Sequence, residues 1–448
     1  FYVTYFAAWQ IGAVLAPLNI FLHEREFKLI INDSKPKALI YSSQFQDNVD
    51  VVLKFDDVEN IPTIVSDEHI DWKTPLPDVF DENSLEVSLH SLPKDDTSLL
   101  LYTSGTTGVP KGVMLSSNNI MTNIMQIASR LIVHGILKSS PSSQEFIPER
   151  PFAALPLFHV FAQSTCILLP IVFGHTIIIV PKVDRTDILE GLKHKPTMFI
   201  GVPALYGLLC ILKTAPLESV RIFISGGDAL SDKIRSAFSM IYSRKICTGY
   251  GLTEASPVVA FNLENKEYGT HVVGTLLHGI DCQIRSEDEK PVAVGEVGTL
   301  WVRGGNVMLG YYHAQEQTKK VLRDGWLNTG DLAKVLPDGA ITIIGRSKDL
   351  IIHKGFNIYP QEVENVLLSH SSVFKAAIVG RDDATAGQVP IAFVALKAPE
   401  DEVESKLREY CKSNLAAYKV PRKFVYVDDL PMTPTGKIDK KKLLSNLG

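Results

Sequence analysis

The chain has 448 residues, room for about three domains or subdomains and for more than one hydrophobic core, so it needs no disulfide or metal staples. It is 45% hydrophobic and 21% charged, with 30 glycines and 25 prolines, which excludes wholesale disorder, collagen and coiled coil. The formal net charge of −5 leaves no basic excess to hold a nucleic-acid backbone or an anionic membrane surface.

The chain opens on Phe1, and its first 22 residues contain no Asp, Glu, Lys or Arg. That stretch is long enough to span a bilayer. It lacks the basic n-region of a signal peptide, and Gly12, Pro17 and Asn19 interrupt it. We read it as a buried helix to about Gln10, a turn and a short buried strand. Segments 37–41, 176–180, 197–201 and 221–225 are rich in β-branched residues and read as strands. Helical patterns at 184–194 and 231–242 alternate with them, the rhythm of an α/β domain with a parallel sheet. The apolar run 166–180 is broken by Pro170, Gly174 and His175, so it reads as a core helix followed by a strand.

After about Tyr268 the segments shorten. Short strands at 283–285, 298–303 and 341–344 predict a β-rich subdomain. The last hundred residues read as helix 361–369, strands 374–379 and 391–396, helix 402–413 and strand 423–427, a compact α+β domain. The charged stretch Gly345-Arg-Ser-Lys-Asp349 is the expected boundary, dividing the chain into residues 1–347 and 348–448.

Five cysteines (Cys166, Cys210, Cys247, Cys282 and Cys411) are widely and irregularly spaced, with no C-x-x-C. An odd number argues against a disulfide framework and for a reducing compartment, so the expected location is the cytoplasm. Asn32-Asp33-Ser34 fits a glycosylation sequon, a triplet that arises often by chance.

The segment that speaks most directly of chemistry is Tyr102-Thr-Ser-Gly-Thr-Thr-Gly-Val-Pro-Lys-Gly112. It follows a strand-like run at 98–102. Gly105, Gly108 and Gly112 permit positive φ and present successive backbone N–H groups. Thr103, Ser104, Thr106 and Thr107 add hydroxyl donors and Lys111 a positive charge. The combination suits a polyphosphate, yet it is not a Walker A loop, because G-x-x-x-x-G-K-[ST] does not occur.

This segment resembles the phosphate loop of the AMP-forming adenylating superfamily, which comprises acyl-CoA synthetases, peptide-synthetase adenylation domains and firefly-type luciferases. Further segments resemble that family's motifs in the family's order. Pro156-Leu-Phe-His-Val-Phe161 resembles the acyl gate, and Ile224-Ser-Gly-Gly-Asp-Ala-Leu230 the adenine-side loop. Thr248-Gly-Tyr-Gly-Leu-Thr-Glu254 resembles the Mg-binding motif; Thr329-Gly-Asp331, Gly345-Arg-Ser-Lys-Asp349 and Pro434-Thr-Gly-Lys437 complete the set.

The resemblance implies a large N-terminal domain of parallel-sheet α/β subdomains with a β-rich subdomain, and a small mobile α+β C-terminal domain. It implies ATP, Mg²⁺ and CoA as cofactor and co-substrates. An acid is first joined to AMP with release of pyrophosphate, and then to a thiol with release of AMP. Residue by residue, it implies that Glu254 is the Mg²⁺ ligand, that Thr253 binds the α-phosphate, and that Tyr250, between Gly249 and Gly251, stacks on adenine. Gly227, Asp228 and Thr248 also fall on the nucleotide side. Asp331 is implied for the ribose hydroxyls, Arg346 for the same ribose or a nearby phosphate, and Lys437 for the charge that develops during adenylation. His159, Phe161, Gly226 and Gly227 would meet the acyl group; Lys348 would be the hinge; Lys354, Gly355 and Phe356 would line the pantetheine channel.

The wording Asp324-Gly-Trp-Leu-Asn-Thr-Gly-Asp331 is most similar to bacterial fatty-acid–CoA ligases. Pocket candidates are apolar or small: Phe161, Val202, Ser225, Gly226, Gly227, Val258 and Val259. They include no charged partner for a substrate amine. Asp228 departs from the small residue the family places after its paired glycines, which leaves chain length open. A medium- or long-chain fatty acid and free CoA are the expected substrates, with no nucleic-acid partner, no integral membrane segment and room for peripheral membrane contact. A carrier-protein thiol, or luciferase-like oxidation on the same scaffold, are the alternatives. The family's counterpart of residues 12–19 lies well inside its N-terminal domain, so Phe1 reads as a truncation point.

Overall fold

The computed structural model describes residues 1–22, 24–53, 61–66, 93–103, 110–137, 147–263, 271–383, 385–433 and 438–445. Its backbone is organised by one long sheet, twelve-stranded among the described residues. Five strands run parallel at one end, in the spatial order Ile178–Ile179, Pro151–Ala153, Met198–Gly201, Ile222–Ser225 and Ile246–Gly251. Every residue of the three inner strands, Pro151–Ala153, Met198–Gly201 and Ile222–Ser225, is buried, as expected where helices cover both faces. One face packs on a cluster that includes Phe152, Phe199, Tyr206, Phe223 and Phe238. The other packs on the larger cluster of Leu99, Val113, Ile120, Ile124 and Ile200.

The sheet then changes character. Val258–Asn262 pairs antiparallel with Ile246–Gly251, and the series continues through Val272–Leu276, Ile341–Arg346, Trp326–Val335, Gly298–Gly304 and Ile280–Arg285. The predicted β-rich subdomain is therefore a direct continuation of the parallel sheet. A separate sheet carries Thr97–Thr103, Lys111–Ser116 and Gly310–Tyr311.

The helix Ser117–Val133 locks these sheets together. Ser116 caps it: its Oγ accepts from Asn119 N–H at 3.1 Å, and Asn119 Oδ1 accepts from Ser116 N–H at 3.0 Å. Its inward face carries polar groups with defined tasks. Asn123 receives Val258 N–H at 3.0 Å and donates to Val258 C=O at 2.7 Å. Asn119 donates to Gly305 C=O at 2.9 Å, and Arg130 to Thr275 Oγ1 at 2.9 Å.

The last sheet has five strands: Phe356–Ile358, Ile351–His353, Gly387–Leu396 and Val373–Asp383 in order, with Lys423–Tyr426 parallel to Gly387–Leu396. Helices Pro360–Ser369 and Val403–Asn414 pack on it over a core of its own. The sequence reading of this region holds to within a few residues at each boundary.

At the start of the chain, the helix Tyr2–Gln10 and a bridge from Leu15 to Leu99 match the expected order of helix, turn and strand. The expectation that this segment is buried needs correction. Only Tyr5 is fully buried in the helix, while Val3 is 76% and Ile11 56% exposed. Packing engages one face, where Tyr5, Phe6 and Trp9 form an aromatic cluster against the core. No helix among the described residues is long and apolar enough to cross a membrane.

Candidate active site

Functional side chains gather where the parallel strands end and the antiparallel ones begin, the place at which open α/β sheets commonly bind ligands. Residues 248–251 form the end of the strand Ile246–Gly251, and Thr253 and Glu254 follow in a single turn of 3₁₀ helix. Glycine is required at Gly251: a Cβ there would lie 2.2 Å from the carbonyl oxygen of Pro257. This close approach folds the chain back, with Leu252 N–H on Pro257 C=O at 3.0 Å, and so sets where Glu254 points.

Two constellations meet here. In the first, Tyr250 donates its hydroxyl to Asp331 Oδ2, and Arg346 Nε donates to Asp331 Oδ1 at 2.9 Å. The register explains the pairing, since Asp331 stands opposite Arg346 on adjacent antiparallel strands. The Asp331 side chain is 4% exposed, so a paired and hydrogen-bonded carboxylate is the form this burial tolerates. Burial first, and Asp331 second, push the Tyr250 hydroxyl far above its ordinary pKa, so it stays protonated and donates. Desolvation opposes the charge on Arg346, but Asp331, with Tyr250, Glu254 and Asp349, outweighs it and holds the guanidinium charged.

In the second constellation, Tyr311 donates its hydroxyl to Glu254 Oε1 at 2.9 Å, and the Lys111 ammonium lies 5.0 Å from the centre of the Tyr311 ring. A hydrogen bond to a carboxylate contributes about 1.5–3 kcal/mol. Burial and then Glu254 raise the Tyr311 pKa, so this hydroxyl too remains a donor. Tyr250 and Glu254 lie four positions apart, on the end of one strand and in the turn that follows it, so the two constellations adjoin.

Among the described residues no three His, Cys, Asp or Glu side chains cluster to cage a metal ion. Glu254 offers a hard carboxylate by itself. That donor set fits Mg²⁺, which keeps several waters and is held by one or two carboxylates together with substrate phosphates.

The predicted acyl-side residues form a separate group. His159 caps the short helix Val160–Ala162: its Nδ1 accepts from Phe161 N–H at 3.2 Å, which places the proton of the neutral ring on Nε2. The Phe161 ring packs on Gly226, where a Cβ would lie 3.0 Å from Cζ. Val202 borders Gly227. Gly227 and Asp228 are exposed, and Asp228 Oδ1 accepts from Ala229 N–H at 2.8 Å.

The remaining predicted residues make contacts of their own. The Thr248 hydroxyl, 6% exposed, donates to Val272 C=O at 3.3 Å and so braces the sheet. Gly249 lies against Phe261. Ser347 and Lys348 sit in the turn Ser347–Asp349 between the long sheet and the last one, where Ser347 Oγ donates to Gly330 C=O at 3.0 Å. Lys354 (φ 50°) and Gly355 (φ 80°) form the two-residue turn of a hairpin in which His353 faces Phe356. Two successive positive φ values are the mark of a type I′ turn. The Phe356 ring stacks on Tyr418 at 4.8 Å. Thr103 stands opposite Lys111 across the hairpin that carries the phosphate loop. Ser104, Gly105, Thr106, Thr107 and Gly108 lie outside the described residues, as does Lys437.

Tyr311 is the residue the sequence reading missed. Its only signal is a Gly-Tyr pair after the apolar run Val307-Met308-Leu309, and nothing local shows that this strand pairs with Lys111–Ser116.

The family model described as AMP-binding enzyme matches residues 1–312, and that described as AMP-binding enzyme C-terminal domain matches residues 362–437. The chain belongs to the AMP-binding enzyme family. Among curated relatives, it is 36% identical over 357 residues to a long-chain-fatty-acid–CoA ligase of Bacillus subtilis, an alignment covering 79% of this chain and 62% of that protein. It is 30% identical over 471 aligned positions to a long-chain-fatty-acid–CoA ligase of Salmonella typhimurium, covering 98% of this chain and 82% of that protein. Among solved structures, ATP-bound MatB from Rhodopseudomonas palustris superposes with a TM-score of 0.85 at 28% identity, over 99% of this chain and 86% of that one. The fold is that of the adenylate-forming enzymes, with a large N-terminal domain and a smaller C-terminal one.

Proposed function

We propose that this protein is an ATP-dependent acid–CoA ligase acting on a medium- or long-chain fatty acid in the cytoplasm. The observation that carries the reading is the pair of adjoining constellations of Lys111, Tyr311, Glu254, Tyr250, Asp331 and Arg346 in a member of the AMP-binding family. Relatives named as CoA ligases favour CoA over a carrier-protein thiol or an oxidative reaction. The five free cysteines accord with a reducing compartment.

In the adenylation half, the carboxylate oxygen of the acid attacks the α-phosphorus of ATP and pyrophosphate leaves. Positioning and charge neutralisation supply most of the catalysis. Thr103, Ser104, Gly105, Thr106, Thr107, Gly108 and Lys111 cradle the phosphates. Glu254 would hold Mg²⁺, which would neutralise phosphate charge, and Thr253 would bond the α-phosphate. Tyr250, with Gly227 and Asp228, borders the adenine. Asp331 accepts from the ribose hydroxyls; each carboxylate oxygen has more than one lone pair, so the bonds from Tyr250 and Arg346 leave capacity for them. Lys437 stabilises the charge developing at the α-phosphate.

In the second half, the CoA thiol attacks the acyl carbonyl and AMP leaves. The chain divides between residues 347 and 348, and rotation about Lys348 exchanges Lys437 for the Lys354–Gly355 turn, which lines the pantetheine path with Phe356. His159 and Phe161 border the acyl group, with Gly226 forming the floor beneath the Phe161 ring.

Pyrophosphate release measured across acids from acetate to palmitate, with and without CoA, tests the proposal. The expected profile peaks at eight carbons or beyond, with thioester formed only when CoA is present. No pyrophosphate with any acid refutes the ligase reading, and a maximum at acetate or at aromatic acids refutes the fatty-acid assignment.

A further inference from the structure

The segment from Asn306 to Tyr311 holds Glu254 and its neighbour Ala255 through three hydrogen bonds. Met308 N–H donates to Glu254 C=O at 2.9 Å, and Asn306 Nδ2 donates to Ala255 C=O at 2.8 Å. Tyr311 Oη reaches the Glu254 carboxylate itself at 2.9 Å. Backbone and side chain of Glu254 are thus both held by one short stretch of chain.

The same stretch is also the third strand of the phosphate-loop sheet. Tyr311 stands opposite Val113, Leu309 N–H donates to Met114 C=O at 3.0 Å, and Tyr312 N–H donates to Gly112 C=O at 2.7 Å. Lys111, at the start of that strand, lies over the Tyr311 ring. Tyr311 is 7% exposed, and its backbone N–H is fixed by Thr318 Oγ1 at 2.9 Å. A side chain needed only to fill space would be served equally by phenylalanine. The hydroxyl is the one atom that phenylalanine lacks, and it ends on the carboxylate.

We propose that Tyr311 is a positioning residue: its hydroxyl anchors one oxygen of Glu254 so that the carboxylate presents its other oxygen to a divalent cation, in register with the strand that leaves the phosphate loop. This rests on the reading of the site as an adenylating centre. A partner that orients a metal-ligating carboxylate commonly changes metal affinity about tenfold or more when removed.

The test is Tyr311→Phe in the full chain, read by Mn²⁺ paramagnetic resonance with a non-hydrolysable ATP analogue. The half-saturating Mn²⁺ concentration rises about tenfold, a change larger than any in metal-free nucleotide affinity. In a Glu254→Gln background, adding Tyr311→Phe causes no further change. Unaltered Mn²⁺ binding in Tyr311→Phe, or a further loss in the Glu254→Gln background, overturns the inference alone. Absence of Mn²⁺ binding by the parent protein with the analogue overturns the adenylating reading and this inference with it. If Tyr311→Phe does not fold, Thr318→Val loosens the same tyrosine while leaving its hydroxyl; a smaller rise supports the inference, and no rise overturns it.

Discussion

Gly226→Ala is a direct probe of the acyl side. The added methyl would stand 3.0 Å from Cζ and 3.3 Å from Cε1 of Phe161. Apolar carbons rest about 3.5–4.0 Å apart, so the ring must retreat by about half an ångström or more. It has room to do so, because Phe161 is only half-buried and sits in a short helix capped by His159. If the ring borders the acyl channel, its retreat removes space on the scale of a methylene, a change that discriminates by about 1–3 kcal/mol, or roughly 10–200-fold. The kcat/KM for the longest accepted acids therefore falls about tenfold or more, while that for the shortest changes less than about twofold. Pyrophosphate release across a chain-length series reads the profile. Adding Phe161→Leu restores the long acids by removing the ring edge that the methyl displaces. An equal fall at every chain length, or no change in the profile, refutes the placement of Phe161 at the channel.

Three other predictions concern stability and the two half-reactions. Gly251→Ala drives a methyl to 2.2 Å from a backbone oxygen that cannot swing aside; urea denaturation should show a loss of about 1–3 kcal/mol or more, and parental stability would refute the tight fold of this turn. Lys437→Ala should abolish adenylation while largely sparing thioester formation from supplied acyl-AMP, and equal loss of both halves counts against two geometries. His271, whose Nε2 meets Asn365 Nδ2 at 2.5 Å, links the long sheet to the helix Pro360–Ser369. Burial, with Arg235 adding to it and Asp232 and Glu362 opposing it, lowers its pKa from 6.5. The unfolded chain therefore takes up this proton first, and stability declines as pH falls below about 6.5 until the folded-state pKa is reached. His271→Gln keeps an acceptor for Asn365 and cannot take up a proton, so stability against pH should flatten in that window; an unchanged slope refutes the role.

The order of elements and most of the motif residues could be read from the chain because both are local. Short apolar runs with β-branched residues at 197–201 and 221–225 mark strands by composition and length, and the glycines and hydroxyls of residues 103–112 advertise a phosphate-binding loop by composition. The helices at Pro360–Ser369 and Val403–Asn414 were legible from their apolar spacing for the same reason. Burial at the start of the chain was not, because an uncharged sequence does not say which face meets a core. Val3 and Tyr5 are alike in hydropathic role there, yet one is exposed and the other enclosed.

What only the tertiary structure decided is how distant segments combine. Asp331 and Arg346 meet through strand register, and Tyr250 reaches Asp331 across 81 positions of sequence. Tyr311 looks like an ordinary strand aromatic until it pairs beside Val113 and its hydroxyl reaches Glu254, 57 positions away. Thr248, by contrast, sits within a recognised motif, yet its hydroxyl is spent on Val272. Sequence by itself determined the chemistry available, because residue types and short spacings carry it. Contacts between separate strands decided which of those groups share a site, because register and packing belong to the whole sheet.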